Sequence, residues 1–525
     1  MITTTDEMNP VAGRRLPIGI QTFRKLREQD CYYVDKTAFI ERLLCRGTHY
    51  FLSRPRRFGK SLFLDTLKEL FEGNEALFAG LYIHDRHDWS ERHPVVRLSF
   101  GGGGFTEPAT LHEDVAFQLE DLEEAAGIGS HDGGAAPRLR RLLRALHRQT
   151  GQRVVVLVDE YDKPILDALE TPEVARDNRD YLRGLYGVIK DSDAHVRFTF
   201  LTGISKFSKV NLFSQLNNLT DLTLDRRYSS ICGYTDADLD TVFAPELAGL
   251  DRERIREWYN GYRWRGKEKV YNPYDVLLLF DSREFAAHWF ETGKPAFLVD
   301  LLFERRVASV SLDRMVGTME LLSRFDVGQI GTQALLFQTG YLTVTGEEEL
   351  GGKVLYRLGY PNREVRQSLN EHLLRHLVQD VERQTANSMR LQRLLATHDC
   401  AGLQELFHAF FASIPYEWHT NNDIAHYEGY YASVFYSYFA ALGYEIAVEE
   451  SSSHGRLDMA VRTGGHVYLF EFKVAELAAA GSALAQLRER GYADKYRARG
   501  EPIHLIGVEL SRRTRNVTAF ELADG

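Results

Sequence analysis

The segment Ser53–Ser61 reads SRPRRFGKS and lies between an apolar run and a helical one. A glycine, a lysine and a hydroxyl residue at the start of a helix suit phosphate binding. Gly59 lets the backbone approach, and the helix N-terminus points unpaired N–H groups outward. Lys60 supplies a cation and Ser61 a hydroxyl for Mg²⁺. The pattern GxxxxGK[ST] asks for glycine where Arg54 stands, with Pro55 after it, so the loop entry is stiffer than the pattern implies. Arg56 and Arg57 add two cations for phosphate. Further along, Arg153–Asp162 reads RVVVLVDEYD, an apolar strand ending in acids. Asp159 is placed to hold the Mg²⁺ shell, and Glu160 to orient or deprotonate an attacking water. A third run, VRFTFLT, ends at Thr202. If its strand neighbours that of Asp159, Thr202 is a candidate γ-phosphate sensor; the plainer reading is a turn residue.

A second set suits metal-dependent hydrolysis. GRLDMAVRTGGHVYLFEFKV, Gly455–Val474, reads as a hairpin with Thr463–Gly465 as its turn. Glu471 and Lys473, two apart on a strand, share one face; Phe470 and Phe472 take the other. Asp458 on the preceding strand comes beside Glu471. Asp458 and Glu471, with Glu428 from the preceding helix, would ligate Mg²⁺, and Lys473 would orient the water or offset developing charge. An ExK triplet is common on solvated strands, so the weight rests on the full set, which includes Gln486 on the next helix. Arg488, Arg490, Lys495, Arg497 and Arg499, interleaved with Tyr492 and Tyr496, suit a nucleic-acid backbone. The basic helix Arg138–Arg148 is either a second footprint or a solvated face.

Positioning these residues takes three blocks, and 525 residues suggest about three domains. In 1–235, strands expected at His49–Ser53, Val95–Phe100, Val154–Val158 and Val196–Thr202 alternate with helices, which implies a covered parallel sheet. The block 236–398 reads as helices ending in two strands, Leu335–Val344 and Lys353–Tyr360, with TGEEELGG between them as a winged-helix-like wing. Its glutamates Glu347, Glu348 and Glu349 would repel phosphate, so the wing is expected to be structural or partner-facing. The block 399–525 reads αβββαβ, with a last strand at Ile503–Glu509. Hydrophobic residues at 44% and charged residues at 26% exclude a disordered tail, a collagen-like fibre and a disulfide miniprotein. With 64 Lys+Arg against 74 Asp+Glu the net charge is −10, which excludes a simple nucleic-acid coat but leaves room for a local basic groove. Four scattered cysteines form no CxxC pair, which disfavours a thiolate zinc site and suits a reducing compartment. The opening MITTTDEMNP lacks a basic start and an apolar core, and no apolar run approaches the ~18 residues of a membrane span. A cytoplasmic protein without a membrane partner is expected.

The stretches RLPIGIQTFRKL, YYVDKT, FLSRPRRFGKSLFLDTLKELFEG, VVVLVDEYDKPIL and LTGISKFSKVNLFSQLNNL resemble the AAA-ATPase-like family of bacterial proteins. NGYRW and YNPYDVLLLF extend the resemblance into the middle block. The third block resembles the PD-(D/E)XK nuclease superfamily at Asp458, Glu471 and Lys473, with Gln486. The resemblance implies an α/β chain: an AAA-type P-loop ATPase domain over 1–235, a helical, winged-helix-like domain over 236–398, and an α/β restriction-endonuclease-like domain over 399–525. It implies ATP and Mg²⁺ as cofactors, and DNA as partner with RNA as the alternative. A homo-oligomer or an activating partner fits it too. Asp35 and Lys36 are expected near the nucleotide, and a role in prokaryotic defence or mobile elements is implied. Two functions stay open: an ATP-controlled DNA nuclease, and a nucleotide-dependent switch whose nuclease-like domain only binds nucleic acid or a partner.

Overall fold

β-branched and aromatic runs become strands and the amphipathic runs between them become helices. The structure is a computed structural model that describes residues 14–129, 133–206, 218–290, 295–305, 307, 309–322, 331–378, 381–412, 428–452, 455–498, 500–511, 513–514 and 516–525. The chain divides into two units, Met1–Trp289 with Val316–Asn362, and Phe290–Met315 with Arg363–Gly525.

In the first unit β1 (His49–Ser53) leads into α1 (Lys60–Phe71), followed by β2 (Val95–Ser99), α2 (Pro108–Ala125), α3 (Ala135–Thr150), β3 (Val154–Asp159), α4 (Pro172–Asp191), β4 (Val196–Gly203) and a two-residue β5 (Thr220–Asp221). The sheet is parallel throughout, in the order β2-β3-β4-β1-β5. Every residue of β1 and β3 is buried, as a parallel sheet covered on both faces requires. In α3, Leu139, Leu142 and Leu143 are buried, while Arg138 binds Glu123 and Arg140 pairs with Asp191.

The same unit carries an antiparallel pair, β6 (Asn260–Tyr262) with β7 (Val270–Tyr271). It also carries a three-stranded antiparallel sheet of β8 (Val316–Thr318), β9 (Thr343–Leu350) and β10 (Lys353–Gly359), with α5 (Thr332–Thr339) before β9. The strand expected from Leu335 therefore starts only at Thr343. Ala334–Gln338 are all buried in α5, and a run buried on every side has no period to separate helix from strand. Glu347–Glu349 stand on β9 rather than in a loop, opposite Tyr356, Leu355 and Val354. Arg226 binds Glu347 at 2.6 Å.

The second unit contains α6 (Arg363–Val378), α7 (Val381–Ala396), α8 (Cys400–Phe411) and α9 (Glu428–Ala441), then β11 (Glu445–Ser452), β12 (Gly455–Thr463), β13 (His466–Val474), α10 (Ser482–Glu489), β14 (Ile503–Ser511) and β15 (Asn516–Asp524). Residues 236–398, expected as one block, are thus shared between the units; α6 packs on α9 and belongs with the second. The sheet order is β11-β12-β13-β14-β15, antiparallel except for the parallel pair β13–β14. Gly464 and Gly465, at φ 59° and 76°, turn β12 into β13 with Thr463 opposite His466, the two-residue turn that left-handed glycines favour. Phe470 and Phe472 pack on Phe435 of α9. The other face buries Leu469 and Leu505 with Leu484 and Leu487 of α10. Tyr492 and Tyr496 belong to that core. The stacking surface expected of them is corrected, because their rings fill the α10 side of the sheet. Among the described residues no helix is long and apolar enough to cross a membrane.

Candidate functional site

β1 feeds the chain into residues 54–59, and α1 starts at Lys60. Gly59 precedes the helix at φ 88°, a left-handed position where a side chain would be strained, and no side chain caps α1. The first N–H groups of α1 are thus left for an anion. Lys60 Nζ donates to the carbonyl oxygens of Arg54 and Pro55, each at 2.8 Å. Burial pulls the Lys60 ammonium below its ordinary pKa, opposed by the charges of Glu160 and Asp159. Ser61 is the second residue of α1 and is half-buried.

The β3–β4 register pairs Val158 with Leu201, which sets Asp159 beside Thr202. Thr202 Oγ1 donates to Asp159 Oδ1 at 2.6 Å. Glu160 is left-handed at φ 51°, and its carboxyl lies against Gly101, where a Cβ would stand 3.6 Å from the carboxyl carbon. Burial raises the Glu160 pKa, and the Lys60 cation opposes the rise. The donors and acids expected for a nucleotide and its metal thus share one end of the sheet, and this set fits the group.

The arginines divide. Arg54 is fully buried: Nη1 donates to the carbonyls of Ser53 (2.8 Å) and Thr223 (3.0 Å), Nη2 to that of Tyr228 (3.0 Å), and the guanidinium lies 4.1 Å from the Trp264 ring centre. Burial pushes its pKa down to about 10, so it remains a cation at neutral pH. The Arg56 carbonyl accepts from Trp289 Nε1 at 3.1 Å. Arg57 lies over Tyr274 at 4.9 Å. Asp35 accepts from Thr37 N at 2.8 Å just ahead of the helix Thr37–Leu44, and Lys36 pairs with Asp238 at 2.9 Å.

Sequence reading missed two supports of this site. Arg97 on β2 binds Asp65 at 2.7 Å and reaches to 3.9 Å from Asp159. Asp162, fully buried, accepts the N–H groups of Ile204 and Ser205 and ties the acidic loop to the end of β4. An arginine inside the apolar strand VVRLS was the available signal for the first.

In the second unit the β12–β13 register pairs Met459 with Phe470, which carries Asp458 opposite Glu471. Asp458 Oδ2 accepts from Phe472 N at 2.9 Å. Lys473 Nζ donates to Glu471 Oε1 at 3.1 Å, and Gln486 Nε2 of α10 donates to the same oxygen. Glu471 is 1% exposed, and its Oε2 has no hydrogen-bond partner among the described residues. Burial and the nearby Asp458 charge push its pKa up to about 7, against the pull of Lys473. A buried carboxylate oxygen without a partner, beside a second carboxylate, fits a hard divalent cation. Glu428 opens α9, but its side chain lies outside the described residues, as does Arg499. Glu509, not singled out from sequence, pairs in register with Lys473 and accepts from Ser482 N at 3.1 Å, fixing the start of α10.

Two family models match this chain. Residues 17–213 match the family described as Predicted AAA-ATPase, and residues 426–520 match the PD-(D/E)XK nuclease superfamily. A protein of Azotobacter chroococcum mcd 1, named "Uncharacterized protein in vnfD 5'region", is 61% identical over 514 residues, which cover 97% of this chain and 99% of that protein. The chain belongs to the AAA-ATPase-like family, with a PD-(D/E)XK nuclease superfamily domain in the same polypeptide. That architecture joins nucleotide binding to a nuclease fold.

Proposed function

We propose that the chain binds and hydrolyses ATP and thereby controls a Mg²⁺-dependent DNA endonuclease in its C-terminal unit. The observation that carries this reading is Glu471. A carboxylate at 1% exposure, with one oxygen unpartnered, lies beside Asp458, Lys473 and Gln486 on one sheet face, in a chain that also has a phosphate loop. Asp458 and Glu471 are the protein ligands for the metal, with Glu428 as a further one. When bound, Mg²⁺ acidifies a water and polarises a phosphodiester. Lys473 holds that water or offsets charge on the phosphate, and Gln486 keeps Glu471 oriented. In the first unit Lys60 and the α1 N-terminus hold phosphate, Ser61 and Asp159 hold the nucleotide's metal, and Glu160 orients the attacking water. Thr202, through Asp159, reads the terminal phosphate. Arg56 and Arg57 supply further positive charge at the loop.

The test is cleavage of plasmid and single-stranded DNA with Mg²⁺ or Mn²⁺, with and without ATP. Lys473→Ala is expected to lower cleavage at least about a hundredfold while keeping the thermal shift induced by ATP. Lys60→Ala is expected to lose that shift and the ATP dependence of cleavage. Absence of cleavage by wild type in every condition, with ATP still bound, would replace this reading by the nucleotide-dependent switch.

A further inference from the structure

Three histidines meet at the other end of the nuclease sheet. His398 lies in the turn between α7 and α8 at φ 54°, His466 opens β13, and His504 is the second residue of β14. One ligand nitrogen from each lies within 4.8 Å of the other two. His466 Nδ1 and His504 Nε2 are 2.8 Å apart, and the His398 ring stacks on His466 with centroids 3.4 Å apart. His398 Nδ1 is 2.8 Å from the Tyr468 hydroxyl. Asp524 stands opposite His504 across the β14–β15 ladder and brings a carboxylate beside the group.

This cluster is separate from the acidic site. His466 and Glu471 are five residues apart on β13, about 17 Å at strand rise, and point to opposite faces. Three imidazoles drawn from segments far apart in sequence gain little from one another as neighbours. One proton must bridge the 2.8 Å pair, and a second at the same contact would set two N–H groups against each other.

We propose that His398, His466 and His504 form a second metal site, selective for a borderline divalent transition ion such as Zn²⁺, which staples the α7–α8 turn to the β13–β14 end of the nuclease sheet. This reading goes beyond the proposed nuclease and stands without it. Imidazole selects Zn²⁺ or Co²⁺ over Mg²⁺, which takes oxygen ligands, so the two sites sort their metals by donor type. Bonds of about 2.0–2.1 Å in a tetrahedron need nitrogens about 3.3 Å apart. An ion bound there would send the bridging proton to the other nitrogen of its own ring, open the His466–His504 pair by about half an ångström, and turn His398 from stacked to edge-on. The fourth position is left for water or for Asp524.

The experiment is a Co²⁺ titration of the metal-stripped full-length protein, followed by visible absorption and then by Zn²⁺ competition. Wild type is expected to bind one equivalent of Co²⁺ with the strong absorption of a tetrahedral site and to lose it to Zn²⁺. His466→Ala and His504→Ala are each expected to lose that absorption, and His504→Cys to keep it at a shifted wavelength. Asp458→Asn with Glu471→Gln is expected to leave it unchanged, which separates this site from the acidic one. Zn²⁺ should raise the thermal midpoint of wild type and not of His466→Ala. Wild type without the tetrahedral absorption, or an absorption that survives in both His466→Ala and His504→Ala, would overturn the proposal. If His466→Ala fails to fold, His504→Gln decides in its place.

Discussion

Glu471 is a carboxylic acid whose surroundings favour the proton until a cation arrives. Its folded pKa of about 7 lies above the unfolded value of about 4.3, which fixes the sign of a pH effect. Below the unfolded value both states hold the proton and the group contributes no pH dependence. Above it the unfolded chain releases its proton first, so in metal-free protein stability falls with rising pH until about 7 and then levels. Glu471→Gln removes that slope while retaining an acceptor for Gln486. Denaturant unfolding in chelator, from acid to mildly alkaline pH, should therefore show the two profiles diverging up to neutrality. Profiles that stay parallel would mean that the Glu471 pKa is the same in the folded and unfolded chain. At this scale the sequence told part of the story. Asp458, Glu471 and Lys473 were legible as neighbours because strand period and hairpin turn bring them together, and Gln486 joins them from α10. Glu509 and Arg97 were not, because each reaches the site through sheet neighbours remote in sequence. Tyr492 and Tyr496 looked like a nucleic-acid surface because spacing alone does not tell which face of a short helical stretch meets the core.

At the scale of elements, the phosphate loop is braced by a residue that its own pattern does not foresee. Arg54 spends its guanidinium on the carbonyls of Ser53, Thr223 and Tyr228 and stacks on Trp264, just beyond β6. The glycine position is thus filled by a strut that ties the loop entry to the carbonyls of Thr223 and Tyr228. Arg54→Ala leaves buried carbonyls without a donor, at a cost of about 1–3 kcal/mol for each one left unsatisfied, and should lower the thermal midpoint by several degrees. Trp264→Ala removes the stack, and the double variant should cost less than the sum of the two by about 1–2 kcal/mol. Strict additivity in that double-mutant cycle would show that the contact carries no energy. The four main strands of the first unit and the hairpin of the second were legible within a residue or two, since β-branched runs bounded by polar residues admit few readings. The two-residue β5 and the fifth nuclease strand β15 were not. The first is too short to carry a pattern, and the second, NVTAFELAD, buries mainly Val517 and Phe520 on an edge. Helix α5 was read as strand because burial on all sides erases period.

At the scale of the whole molecule, control of a nuclease by ATP is a free energy shared between two binding events. A nucleotide shifts a conformational equilibrium only by binding one state better than the other, and linkage makes the effect reciprocal. If ATP changes the affinity for DNA by some factor, DNA changes the affinity for ATP by the same factor. This equality applies to binding and not to turnover, so it must be measured on protein that does not cut. Lys473→Ala serves, since Lys473 donates to Glu471 of the acidic site. The ATP dissociation constant of that variant, with Mg²⁺ and with or without plasmid, is expected to differ by about 5- to 150-fold, the usual span of such couplings. The DNA dissociation constant with and without ATP is expected to differ by the same factor. Because the chain carries a net charge of −10, both titrations belong at one fixed salt concentration, where the cost of bringing phosphates together is constant. A factor of one in both directions would leave a phosphate loop and a nuclease fold acting independently in one polypeptide, and would remove ATP control from the proposed function without touching either site.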